Sequence, residues 1–328
     1  MKKYILLILV FVLGIISLSC DDSVDPKSEF KERYVLNCII NMDTTYQVAT
    51  ISKTFDVAGY DPYTNTSDPF ISGAAVQIFY NDSVFTLNES SKIRTDTSRY
   101  KTPMPFYYLE KLNILSQTMP LTIAARTPDG TILYGSTVIY SISRFYVGSS
   151  KKDILPPQLF GGSSSASDIT FDWGDLYSAS AFKDVYYSPE LVILYSHESN
   201  GVVENLEKKV AWYYLGSTSV YPPVNTGGNS ITFTFENINK AMQEISDGDS
   251  NKQNYKIKGA LFRILLMDRN LAAYYSAQKT FLDEFSVRLN QPDFSNVHNG
   301  LGIIGSYAMK KLQITIDKSY ISSLGYKF

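Results

Sequence analysis

The side chains that could do chemistry are few, and their spacing narrows what that chemistry is. There are two cysteines, Cys20 and Cys38, and two histidines, His197 and His298. Cys20 closes a run that begins with Lys2-Lys3, continues without charge from Tyr4 to Ile16, and ends through Ser17, Leu18 and Ser19. A positive start, an apolar stretch and small residues before a cut are the layout of a secretory signal. The apolar stretch is shorter than the roughly 20 residues of a spanning helix. A cut before Cys20 would make it the first residue of the processed chain. Cys38 lies in Tyr34 to Ile40, which reads as a buried strand, and there a thiol acts as a small hydrophobe. No neighbouring His or basic group would lower its pKa. If Cys20 is acylated, Cys38 is alone and no disulfide can form in the processed chain.

Two histidines all but exclude a zinc site built on them, and there is no C-x-x-C. His197 at a strand end and His298 in a loop read as packing or surface residues, because no serine or cysteine motif accompanies them. No G-x-S-x-G, Walker loop or H-E-x-x-H stands in the chain. Asp247-Gly248-Asp249-Ser250-Asn251 opens like a calcium loop. Lys252 then occupies the place of the turn glycine and Lys258 that of the bidentate glutamate, so a solvated turn is expected. Acid pairs such as Asp283-Glu284 follow from the 32 acids alone. No catalytic residue, metal or cofactor is expected, and the protein reads as a non-enzyme.

The elements that hold these residues are mostly strands. Residues 20–30 read as a polar tether after a signal peptide at 1–19. Arg33 to Ile40, Tyr46 to Lys53, Ala74 to Tyr80, Ser83 to Leu87, Pro120 to Arg126 and Thr131 to Ile139 read as strands, with turns at Asn81-Asp82 and Pro128-Asp129-Gly130. Short strands at this spacing predict a sandwich-like domain over 31–147. The Pro-, Gly- and Ser-rich stretch 148–167 reads as a linker. A second, fibronectin-like β-rich domain with one or two added helices is expected over 168–328. Its strands are Asp168 to Trp173, Pro189 to His197, Val210 to Leu215, Asn229 to Phe235, Lys256 to Asp268 and Leu312 to Ile316. Its helices are one capped by Asn237 and one from Leu271 to about Phe285. The fold class is therefore mainly β, with two β-sandwich-like domains. Gly300, Gly302 and Gly305 sit among apolar residues and would let a loop pass close to the sheet.

Cleavage before Cys20 leaves 328 − 19 = 309 residues, enough for one large or two ordinary domains. A net charge of −2 removes any general electrostatic case for nucleic acid. Tyrosine is abundant, with 25 copies and doublets at Tyr107-Tyr108, Tyr186-Tyr187, Tyr213-Tyr214 and Tyr274-Tyr275. On a strand one member of each doublet must face inward and the other outward. The outward members offer a contact surface for a partner or a sugar; the alternative is cross-strand pairing alone.

The segment Ser17-Leu18-Ser19-Cys20 resembles a bacterial lipobox, with Ser where Leu is usual at its first position; an ordinary cleaved signal or an uncleaved anchor is the alternative. The run Pro292 to Tyr307, PDFSNVHNGLGIIGSY, resembles the C-terminal signature of a Bacteroidota lipoprotein family known as domain of unknown function four-two-four-nine. It differs by Ile304 in place of Phe and by a shorter gap before Asn299. Tyr34 to Ile40, Ile71 to Phe79 and the hairpin near Asp129 are similar to that family too. The resemblance implies a lipid-anchored, surface-exposed outer-membrane protein, often encoded beside TonB-dependent receptors, and no catalytic residues. Asp21-Asp22 resembles the acidic signal that sends such proteins to the outer face. Asp22-Ser23-Val24 and Asp82-Ser83-Val84 resemble the O-glycosylation motif of these bacteria, making Ser23 and Ser83 candidate sites. The function expected is a non-catalytic accessory for ligand capture or uptake with an outer-membrane receptor. A structural or adhesive surface role is the alternative, and an envelope hydrolase the third.

Overall fold

The computed structural model describes residues 30–57, 61–115, 117–156, 167–175, 185–212, 230–279 and 294–328. Its strands are β1 (Tyr34–Asn41), β2 (Gln47–Lys53), β3 (Ala75–Tyr80), β4 (Ser83–Thr86), β5 (Asn88–Lys92), β6 (Met104–Leu109), β7 (Met119–Arg126), β8 (Ile132–Ile139), β9 (Phe145–Ser149), β10 (Asp153–Ile154), β11 (Ile169–Asp175), β12 (Tyr186–Ser199), β13 (Val202–Lys209), β14 (Ser230–Phe233), β15 (Tyr255–Met267) and β16 (Ile304–Ile316). Its helices are α1 (Phe235–Gln243), α2 (Arg269–Lys279) and α3 (Lys318–Ser323), all in the C-terminal half. The architecture is mainly β and sandwich-like.

A nine-stranded sheet runs β13-β12-β15-β16-β1-β2-β6-β5, with β10 alongside β16. Two smaller sheets, β14-β11-β9 and β4-β3-β7-β8, complete the strand set. The alternation of β1, β2, β3 and β7 turns Leu36, Ile40, Ile51, Ile78, Leu121 and Ile123 inward, where they are fully buried. The three-stranded sheet meets β15 through Phe171, whose ring stacks on Phe262 at 3.9 Å, with Phe233 edge-on. These residues belong to one continuous core.

The expected division into 31–147 and 168–328 does not divide that core. β1 lies parallel to β16, with Cys38 opposite Ile304, and β9 pairs with β11. The stretch expected as a linker supplies the end of β9 and all of β10. Three local expectations also shift. Of the strand expected at Val210 to Leu215, residues 210–212 are not strand and 213–215 lie outside the described residues; the charged β13 precedes them. Thr234, not Asn237, caps α1, its hydroxyl accepting from the Asn237 amide, while Ile238, Ala241 and Met242 are buried along one stripe. β16 starts at Ile304, well before Leu312, and the short α3 follows it. Residues 280–285 of the expected second helix lie outside the described residues.

A polar knot fixes α2 to the sheets. Asp268 is only 2% exposed, and its carboxylate accepts from Leu271 N (2.9 Å), Ser306 N (3.2 Å) and the Thr137 hydroxyl (2.8 Å). It thereby caps α2 while tying β8 to β16. Burial pushes this carboxyl above its ordinary range, and the donors pull it back only in part. Asp268→Ala should cost about 3 kcal/mol in urea unfolding, because three buried donors lose their acceptor. A loss under about 1 kcal/mol would mean that water replaces the carboxylate.

Candidate contact surface

Two of the four tyrosine doublets, Tyr107-Tyr108 and Tyr186-Tyr187, lie on described strands and behave as strand geometry requires. On β6, Tyr107 is fully buried; its hydroxyl donates to Ile71 O (3.0 Å) and accepts from Ala74 N (2.9 Å). Tyr108 faces the other way, opposite Val48 of β2. Its ring stacks on Tyr46 at 5.8 Å and lies 6.0 Å from Phe106. Tyr46, Val48, Phe106 and Tyr108 thus form an outward strip, with Tyr46 45% and Val48 37% exposed. Its members sit two residues apart, at 46 and 48 and at 106 and 108, so strand alternation puts each pair on one face.

Tyr46 is held by its turn. The Thr44 hydroxyl accepts from Tyr46 N (3.0 Å) and donates to Tyr46 O (2.9 Å). Gln47 is buried and closes the turn, donating from Nε2 to Asn41 O and Thr44 O and accepting from Asn41 N at Oε1, each at 2.9 Å. Met309 N donates to the Asp43 carboxylate (2.6 Å), fastening the same turn to β16. The ring is presented on a fixed backbone, which lowers the ordering cost of a contact.

Elsewhere on that sheet face, a helix and a set of ion pairs cover part of the described surface. Tyr186 of the second doublet packs with Met267, Leu271, Ile303 and Tyr274 where α2 covers the face, while Tyr187 packs inward against Phe145 and Trp173. Burial raises the Tyr187 phenol to about 12. Tyr274-Tyr275 sits on α2 rather than on a strand, with rings edge to face at 6.0 Å. Tyr213-Tyr214 lies outside the described residues. Across β12, β13 and β15, Glu190 pairs with Arg263 and Lys209, and Arg263 also reaches Glu207. One flank of the sheet is thus covered by a helix and ion pairs, and the β2–β6 flank is aromatic and open.

A second aromatic group gathers near the other end of β2, where Phe70 bridges to Ser52. The Arg94 guanidinium pairs with Asp68 (2.5 Å) and lies over Phe70 and Tyr100, and Arg99 lies 4.8 Å over Tyr100 and 5.4 Å over both Phe55 and Tyr63. These contacts join loops far apart in sequence, and no local pattern announces them.

The remaining candidates are placed as follows. His197 stacks flat on Tyr255 at 4.4 Å and His298 on Tyr134 at 4.6 Å. Cys38 is buried, and burial pushes its thiol up to about 12. Asp249 accepts from Asn251 N (2.8 Å) and from the Tyr255 hydroxyl (3.2 Å), within a turn where Asp247 and Gly248 take positive φ. Among the described residues no three His, Cys, Asp or Glu side chains stand together as a metal group. Ser83 is exposed at the two-residue hairpin of Asn81 and Asp82, whose φ values are +49° and +54°. Cys20, Ser23 and Asp283-Glu284 lie outside the described residues. Among the described residues no helix is long and apolar enough to cross a membrane.

The glycine segment is a strap. His298 N donates to Tyr134 O (2.8 Å), Asn299 Nδ2 to Ile132 O (2.9 Å) and Asn296 Nδ2 to Ser136 O (3.3 Å), so alternate carbonyls along β8 are taken up. Asn296 also binds both backbone groups of Ile304, donating to its O (2.7 Å) and accepting from its N (2.9 Å). Gly300 to Gly305 has the G-x-G-x-x-G spacing of dinucleotide loops, but it leads into β16 and not into a helix N-terminus, so it lacks the phosphate cradle.

No family model matches this chain, and no curated protein does. Among solved structures, the chain aligns with one described in a study of host cell surface retention of a bacterial ice-binding adhesin, at 8% identity and a TM-score of 0.18. The alignment covers 89% of this chain and 66% of that one. A likeness at that score carries no argument about function.

Proposed function

We propose that this protein is a lipid-anchored outer-membrane lipoprotein of the family it resembles, surface-exposed and held through Cys20, and that it serves a TonB-dependent receptor as a non-catalytic accessory in ligand capture. The observation that carries the contact role is the open strip of Tyr46, Val48, Phe106 and Tyr108. Interface cores are rich in Tyr and Phe and poor in charge, and rigid aromatic anchors supply most of their energy. The ion-paired flank of the same sheet has neither property. The membrane assignment is supported by the sequence of residues 1–20, since multiple acyl chains on one cysteine anchor stably.

The test is to isolate the native protein from outer membranes in mild detergent and identify what accompanies it by mass spectrometry. A stoichiometric TonB-dependent receptor is expected. Tyr46→Ala with Tyr108→Ser should weaken that association roughly thirtyfold or more, a hot-spot loss of about 2 kcal/mol. The outward position of both rings predicts little change in folding stability. If the protein comes out alone even after cross-linking, the receptor reading fails and adhesion takes its place.

A further inference from the structure

The end of the described chain returns to the sheet and builds a cleft. After α3, Gly325 turns at φ +87° and the next residues run parallel to the start of β15. Lys327 N donates to Tyr255 O (3.0 Å) and Ile257 N donates to Lys327 O (2.8 Å). Lys327 therefore sits directly beside Lys256, and the two side chains leave the same face. The walls are fixed: the Tyr326 hydroxyl donates to Met242 O (2.8 Å), Gln253 Nε2 to Gly325 O (2.8 Å) and Lys252 Nζ to Leu324 O (3.2 Å). Between them lies a cleft of about 350 Å³ bounded by Gln253, Lys256, Ser322, Tyr326, Lys327 and Phe328.

The two charged side chains that line this cleft are both lysines. Lys256 and Lys327 are exposed, and among the described residues neither ammonium reaches a carboxylate. Two further ammoniums flank it, Lys252 at 5.3 Å over the Tyr326 ring and Lys318 at 5.1 Å over the Phe328 ring. The nearby Asp317 and Asp249 are engaged elsewhere, Asp317 accepting from Tyr320 N (2.9 Å) at its own helix cap and Asp249 from Tyr255 and Asn251. Like charges opposite each other on adjacent strands repel. An oxyanion between them would remove that repulsion and accept from both lysines and from the Ser322 hydroxyl.

We propose that this cleft binds a phosphate-type oxyanion, either free or carried on a lipid headgroup. The site is separate from the aromatic strip and stands whether or not that strip docks a receptor. The test uses the purified full-length chain, titrated with inorganic phosphate at ionic strength held constant with chloride, and reads thermal stability and calorimetric heat. A saturable stabilisation is expected, weakened about tenfold or more in the Lys256→Gln, Lys327→Gln double variant, since charge-assisted hydrogen bonds are lost. Both lysines are exposed, so the variant should fold. A second arm compares vesicles of phosphatidylglycerol with vesicles of phosphatidylcholine for both proteins, which carry the same N-terminus. A preference for phosphatidylglycerol that the double variant loses assigns the headgroup. Saturable phosphate binding without that preference assigns a free phosphate ligand. An equal effect of chloride and phosphate, or a double variant that behaves as wild type in both arms, overturns the proposal.

Discussion

Gly302→Ala is expected to lower stability by about 4 kcal/mol or more, a large part of what a domain has. Gly302 lies where the strap joins the large sheet. Leu36 N donates to Leu301 O and Cys38 N to Ile303 O, both at 2.9 Å, so the segment runs hard against β1. Between those two bonds the ladder is interrupted, and the Asn37 side chain accepts from Ile303 N (3.1 Å). Gly302 adopts φ +120° there, which L side chains rarely take, and a Cβ would fall inside the Leu36 carbonyl oxygen. The strap could move aside only by giving up β1, β8 or both. Gly201 separates strain from overlap: its φ is +77°, but nothing stands within 4 Å of its would-be Cβ. Gly201→Ala should cost about 1 kcal/mol. Urea unfolding of the two variants tests the argument, and equal midpoints would refute it.

What was legible in the sequence was what alternation and turn chemistry encode locally. Val48 to Lys53 and Val76 to Tyr80 alternate and form strands; Asn81-Asp82 forms the hairpin, both residues at positive φ. The missed strands are polar for a reason. β5, Asn88-Glu89-Ser90-Ser91-Lys92, and β13, Val202 to Lys209, are the two edges of the large sheet. Edge strands carry charge because an apolar edge invites pairing with another chain. The linker reading of 148–167 rested on Pro, Gly and Ser, and composition does not reveal that β9 and β10 find partners elsewhere in the chain. Nor is any local mark left by the pairing of Cys38 with Ile304, or of Lys256 with Lys327, because register between distant segments is set by the packed fold. The aromatic strip lay between these cases. The Tyr107-Tyr108 doublet marked it, but only the β2–β6 register brings Tyr46 and Val48 to Tyr108.

Raising the pH from 9 to 12 is expected to cost this protein several kcal/mol, with Cys38 as the largest resolved share. Desolvation by burial is the main cause in each case: it raises the Cys38 thiol from 9.0 to about 12, the Tyr187 phenol from 10.0 to about 12, and the phenols of Tyr107, Tyr195, Tyr255, Tyr307 and Tyr320 in the same direction. These groups are neutral when protonated, and the folded state holds its protons after the unfolded state has released them. Their contribution is therefore intact below the unfolded pKa and lost as pH climbs from there through the folded value. For Cys38, with three decades between the two values, the loss is on the order of 4 kcal/mol. Cys38→Ala isolates that share. At pH 8 the variant should be less stable than wild type by about 1 kcal/mol, for the small cavity left in β1. Between pH 9 and 12 its stability should fall with a slope shallower by one proton, so that the two curves cross before pH 12. Urea midpoints measured across this range decide it: parallel curves would mean that Cys38 ionises in the folded protein as readily as in the unfolded chain, and that its strand opens to water before the fold is lost.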